Sequence, residues 1–161
     1  MSPGKIVVFM GSERDFEFAS RIGEFLQTEE FNMQCEYVVA SAHKTPQHLL
    51  DTIGKYEKDK GVVFITVAGL SDALSGVVAG STRYPVIACP PDSDAYGYAK
   101  VFSSAVTPQG VAVAYVPRPE NAALSALKIL AFLDEHLRQK IEAYLERLRE
   151  KVYASSKRLK T

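Results

Sequence analysis

At 161 residues, 47% hydrophobic and 24% charged, the chain has the length and composition of a soluble globular protein with one core. Nineteen Lys and Arg balance nineteen Asp and Glu, which argues against a protein built mainly to bind nucleic acid; an anion site must therefore be local. No segment approaches the roughly 20 apolar residues that span a bilayer, and the N-terminal apolar run is too short for a signal peptide.

Short β-branched runs alternate with helical patterns. Residues 6–10 are apolar throughout, as expected for a central parallel strand covered on both faces. Helical spacing follows at Phe18, Ile22, Phe25 and Leu26. Residues 35–39 predict a second strand, and Leu49, Leu50, Ile53 and Tyr56 a second helix. Residues 62–67 predict the strongest strand, followed by a small-residue segment with a short helix around 74–78. A fourth strand at 86–89 is stopped by Pro90 and Pro91; a helix is expected over 96–104 and a fifth strand over 111–116. Strands separated by helices imply right-handed crossovers and a parallel sheet, in a single three-layer domain.

The tail departs from this alternation. Pro119 suits the first turn of a helix, with Glu120 favourable near its start. A second stripe, Leu137, Ile141, Leu145, Leu148 and Val152, fits one face of a helix over about 134–153. It either packs on a neighbouring subunit or folds over its own domain. Residues 155–161 are polar and are expected to fray. Cys35 and Cys89 fall in predicted strands without CxxC spacing, and read as buried thiols of a protein in a reducing cytoplasm.

The chemistry-bearing residues sit where strands turn into helices, the ligand edge of open parallel sheets. Gly11 and Ser12 follow the first strand; the glycine allows close backbone approach, and a helix N-terminus suits phosphate. The loop has neither GxGxxG nor a P-loop pattern. Asp15 either accepts hydrogen bonds from ribose hydroxyls or stabilises the first helical turn. Ser41, Ala42, His43, Lys44, Thr45 and Pro46 follow the second strand. Thr45 and Pro46 are explained as helix cap and first helical residue. His43 and Lys44 are not; a histidine there can move a proton near neutral pH and a lysine can hold an anion. The third loop, 68–76, is rich in small residues, and Ser71 and Asp72 either line a pocket or cap the helix that follows. Asp92 and Asp94 read as solvated loop carboxylates, and His48 and His136 as helix-surface bystanders.

Together these segments resemble the aminoimidazole ribonucleotide (AIR) carboxylases and mutases of purine biosynthesis. Residues 10–15 (MGSERD) are similar to that family's MGSxSD motif, 41–46 (SAHKTP) to SAHRTP or SAHKT, and 119–123 to PENAA. Residues 68–76 with 85–91 resemble AGRSNALSG and PVIACPP, the form of the class II members, which use CO2 directly; class I mutases carry an AGGAAHLPG-like loop. The resemblance covers about residues 5–150. It implies a flavodoxin-like three-layer sandwich whose core spans about 5–132, with a C-terminal helical extension. It also implies a tetramer or octamer with C-terminal helices reaching across subunits, and no metal, biotin or ATP.

By position, the resemblance makes His43 the catalytic residue. It places Gly11, Ser12, Asp15, Ser41, Ala42 and Lys44 against the ribonucleotide, along with Ala68, Gly69, Leu70, Ser71, Ala73 and Leu74. The chain departs from the family pattern at three positions. Leu70 stands for an arginine, Asp72 for an asparagine, and Arg14 for a serine. An Asp72 carboxylate left unpaired near the substrate would be costly. The implied reaction is carboxylation of 5-aminoimidazole ribonucleotide at C4, with His43 as proton acceptor. The alternatives are transfer of a carboxylate from the N5-carboxy ribonucleotide, as in class I, or a non-catalytic nucleotide binder.

Overall fold

Five strands, β1 (Lys5–Met10), β2 (Gln34–Val39), β3 (Val62–Val67), β4 (Val86–Ala88) and β5 (Ala114–Tyr115), form one parallel sheet in the order β2-β1-β3-β4-β5. This is the order of a flavodoxin-like fold. The computed structural model describes residues 4–91 and 99–159. Among the described residues, five α-helices flank the sheet, α1 (Phe16–Thr28), α2 (Pro46–Tyr56), α3 (Ala73–Gly80), α4 (Ala99–Ala105) and α5 (Pro119–Leu130), and α6 (Glu135–Arg158) packs outside them.

Alternation along the central strands divides the core in two. Ile6, Val8, Val63 and Ile65 face a layer built from Ala19, Ile22 and Leu26 of α1 and Ala123, Ala126 and Leu127 of α5. Val7, Phe9, Val62 and Phe64 face Leu49 and Ile53 of α2 and Leu74 and Val78 of α3. Every residue of β3 is buried, as a strand covered on both faces requires. The register aligns the strand ends: Lys5 pairs with Gln34 and Val62, and Met10 with Val39 and Val67. Three loops thus leave the sheet at one height and side by side.

Three expectations are corrected. The fifth strand is two residues long, not 111–116, because its partner β4 offers only three; Ile87 pairs with Ala114 and Ala88 with Tyr115. Before it, Gly110 (φ +92°) and a bond from Val111 N–H to the Pro108 carbonyl (3.1 Å) make a turn. Residues 155–158 continue α6 rather than fraying; Ser155 Oγ donates to the Lys151 carbonyl (2.9 Å), and Lys157 and Arg158 suit the negative end of the helix dipole. Cys89 is buried just beyond β4, but Cys35 lies half-buried on the edge strand; neither forms a disulfide. Of the helix expected over 96–104 and the acidic loop beyond Pro91, residues 92–98 lie outside the described residues.

The apolar stripe of α6 is divided between the two readings. Leu137 and Ile141 are buried against α1 and α5, and the Tyr144 ring meets Phe25 (5.6 Å) and Phe31 (5.7 Å) edge-on. Farther along, Leu148, Val152 and Tyr153 are exposed. No described helix is long and apolar enough to cross a membrane.

Candidate active site

The turn after β2 is closed by its own side chains. Thr45 Oγ1 accepts a bond from Ser41 N–H (3.0 Å), Thr45 N–H donates to the Ser41 carbonyl (2.9 Å), and Lys44 N–H donates to Ser41 Oγ (3.2 Å). The expected Thr45 side-chain cap of α2 is not made; Thr45 spends its hydroxyl on the turn, and Pro46 starts the helix without needing a donor. The effect is to hold His43 and Lys44 at the tip of a short braced loop. Neither side chain has a hydrogen bond or ion pair among the described residues, and both are exposed.

The loop after β1 is braced in the same way. Ser12 caps a 3-10 turn (Glu13–Asp15) that precedes α1, with Arg14 N–H on Ser12 Oγ (3.3 Å) and Ser12 N–H on Asp15 Oδ2 (3.0 Å). Asp15 thus has the structural role of the two readings, as the far half of a capping box. Its other oxygen lies beside Gly69, where a Cβ would come within 3.1 Å of it; Gly69 is small because the carboxylate needs the space. Burial pushes the Asp15 carboxyl above the usual carboxylate range, against the opposing pull of Ser12 N–H and the Lys100 ammonium. The folded protein holds that proton more tightly than the unfolded chain. Its contribution to stability is therefore present at low pH and lost as pH rises through the Asp15 pKa.

The loop after β3 settles Asp72. This residue is buried, caps α3 by accepting from Ser75 N–H (2.9 Å), and accepts from Ser104 Oγ of α4 (2.7 Å). Its own N–H donates to Ser103 Oγ (3.0 Å). The feared unpaired carboxylate is thus a paired one that faces away from the cleft and ties the loop to α4. Asp72→Ala removes two charge-assisted bonds and should cost roughly 2–4 kcal/mol. Asp72→Asn, which keeps the oxygen for Ser75, should cost about 1 kcal/mol or less. Urea titration of both variants checks this; equal losses would mean that the carboxylate itself is not what holds the loop.

The three loops enclose a cleft of about 410 Å³ at the carboxyl edge of the sheet. Gly11, Ser12 and Asp15 line it from the first loop, Ser41, Ala42, His43 and Lys44 from the second, and Ala68, Gly69, Leu70, Ser71 and Leu74 from the third. Of the residues expected at the site, Ala73 alone does not line it. Arg14 does line it and was absent from the expected set. The signal was present as a departure from the motif, but a residue in a three-residue 3-10 turn carries no periodicity to show which side it faces. Among the described residues, no group of three or more His, Cys, Asp or Glu side chains is arranged to hold a metal ion.

The fold and cleft define a small-molecule site of the doubly wound α/β class, at the switch point between β1 and β3 where the chain turns outward in opposite directions. The AIR carboxylase family model matches residues 5–151, so the chain belongs to that family of purine-biosynthetic enzymes. It is 44% identical over 156 residues to a phosphoribosylaminoimidazole carboxylase of Archaeoglobus fulgidus, covering 97% of this chain and 85% of the relative. It is equally 44% identical, over 157 residues, to an N5-carboxyaminoimidazole ribonucleotide mutase of Methanocaldococcus jannaschii, covering 96% and 97% of the two chains. The crystal structure of Treponema denticola PurE superimposes with a TM-score of 0.93 at 35% identity, covering 98% of this chain and 99% of that one.

Proposed function

We propose that the protein carboxylates 5-aminoimidazole ribonucleotide at C4 with CO2, reversibly and without ATP, metal or biotin, giving 4-carboxy-5-aminoimidazole ribonucleotide. The aminoimidazole is electron-rich, like an enamine, and its C4 attacks CO2 directly. The enzyme's task is to hold the two partners together out of water, which is mostly positioning. Ala42, Ala68, Gly69 and Leu74 line the cleft with small or apolar surface and leave room for CO2 beside the ring. When the C4–CO2 bond forms, C4 carries both its hydrogen and the new carboxylate. Loss of that proton to His43 restores aromaticity, and in the reverse direction the imidazolium returns it to C4.

The observation that carries this reading is His43 itself. Its turn is braced by Ser41 and Thr45, its imidazole has no partner among the described residues, and it lines the same cleft as the loop of class II form. The test is aminoimidazole ribonucleotide with bicarbonate and no ATP, followed for the 4-carboxy product. No product under these conditions would overturn the reading.

The relative from Methanocaldococcus supports a second reading, carboxylate transfer from the N5-carboxy ribonucleotide to C4. Supplying each ribonucleotide separately distinguishes the two; turnover of the N5-carboxy compound alone would establish the mutase. On either reading the protein works in the cytoplasm as a homo-oligomer, a tetramer or octamer, with the exposed apolar side of α6 against a neighbouring subunit. Light scattering on the purified chain at micromolar concentration should give at least four times the 17.7 kDa chain mass. A monomer would contradict the assembly.

A further inference from the structure

We infer that Arg14 is the residue that grips the phosphate of the ribonucleotide, and that a cation at position 70, across the same cleft, would serve in its place. The inference rests on the ribonucleotide reading above. Its starting point is a shortage of donors. Ser12 N–H is taken by Asp15, Asp15 N–H by the Ser12 carbonyl (3.1 Å), and Arg14 N–H by Ser12 Oγ. On the facing loop, Ser41 N–H, Lys44 N–H and Thr45 N–H are likewise spent within the turn. The backbone donors that a helix N-terminus would ordinarily offer an anion are largely consumed by the bracing of these loops. A phosphate held between these two loops therefore relies chiefly on side chains.

The cationic side chains lining the cleft are Arg14 and Lys44, one from each facing loop, and neither forms an ion pair among the described residues. This sets Arg14 apart from Arg21, Arg83, Arg138, Arg147 and Arg149, each held by a glutamate. The carboxylate that lines the cleft, Asp15, is engaged with Ser12 and feels Lys100. Lys44 is a point charge, whereas a guanidinium offers two parallel N–H groups that match two phosphate oxygens. Leu70, 66% exposed on the same cleft, offers nothing to an anion. A cation at position 70 in place of the one at position 14 would keep the cleft's positive charge while moving it from the first loop to the third.

The test is a pair of variants, Arg14→Ser and Arg14→Ser/Leu70→Arg, with binding of aminoimidazole ribonucleotide and of its dephosphorylated ribonucleoside measured by calorimetry. Arg14→Ser should weaken the ribonucleotide about 10- to 100-fold, the loss of a charge-assisted contact, and leave the ribonucleoside within about twofold. The double variant should recover most of the ribonucleotide affinity. An Arg14→Ser protein that binds the ribonucleotide like the parent, or that loses both ligands equally, overturns the inference while the carboxylase reading stands. A double variant no better than the single one overturns the exchange with position 70. A parent protein that binds no ribonucleotide overturns both the inference and the reading beneath it.

Discussion

His43→Asn should lower turnover of aminoimidazole ribonucleotide and bicarbonate by at least about 10³-fold, with ribonucleotide affinity within about threefold of the parent. General acid–base groups contribute roughly 10²- to 10⁴-fold, and in the reaction proposed above proton removal from C4 is the step for which no other titratable side chain among the described residues of the cleft is suited. Asp15 is committed to Ser12, and the cationic side chains Arg14 and Lys44 are suited to holding an anion rather than to taking a proton. Asparagine retains the approximate size of the imidazole and its polarity, and the turn that carries it is closed by Ser41 and Thr45 rather than by His43. Folding and ligand binding should therefore survive. Steady-state kinetics with a parallel binding measurement check the claim. Activity within tenfold of the parent would remove His43 from the chemistry, whereas joint loss of turnover and binding would make it a binding residue instead.

Phe64→Ala should be among the most damaging substitutions to the fold, costing about 3–5 kcal/mol. Phe64 sits in the middle of β3 with no exposed surface, paired in register with Val7 on one side and Val86 on the other. Its ring lies 5.4 Å from Phe9, 5.8 Å from Tyr56 and 6.2 Å from Tyr84, so one side chain joins β1, α2 and the approach to β4. Truncation leaves a cavity that three rings cannot jointly collapse into, because Tyr56 is also tied to Glu36 (2.8 Å) and Tyr84 to the Asp59 carbonyl. For a domain of this size the melting temperature should fall by roughly 6–20 °C. A loss of under 1 kcal/mol by denaturant titration would show that this half of the core repacks freely.

The strands and the edge that carries the site were legible because they depend on local properties. A continuous β-branched run such as 62–67 can be buried on both faces only in the middle of a parallel sheet, and a His-Lys pair on the turn after a strand has a limited set of structural explanations. What was not legible depends on partners distant in sequence. The length of β5 is set by β4, which precedes it by more than twenty residues. Where α6 leaves the domain is set by the reach of Phe25 and Phe31 from the α1 end. Asp72 could be placed only once Ser104 was brought beside it, 32 residues on. Arg14 was read as a departure from a motif; that it shares a cleft with Lys44 follows from the register that levels the ends of β1, β2 and β3.

The order of the chain has a consequence for synthesis. Every described residue that lines the cleft lies between Gly11 and Leu74, yet one face of β1 and β3 is covered in part by α5, which ends at Leu130. At about 5–20 residues per second, a ribosome that has just added Leu74 needs roughly 3–10 s to reach Leu130. During that interval Ile6, Val8, Val63 and Ile65 have α1 beside them but lack α5, the other helix of their layer. The nascent chain thus holds every described lining residue before one face of the sheet is fully covered, and a chaperone that shields this face would act on the half of the protein that already carries the cleft.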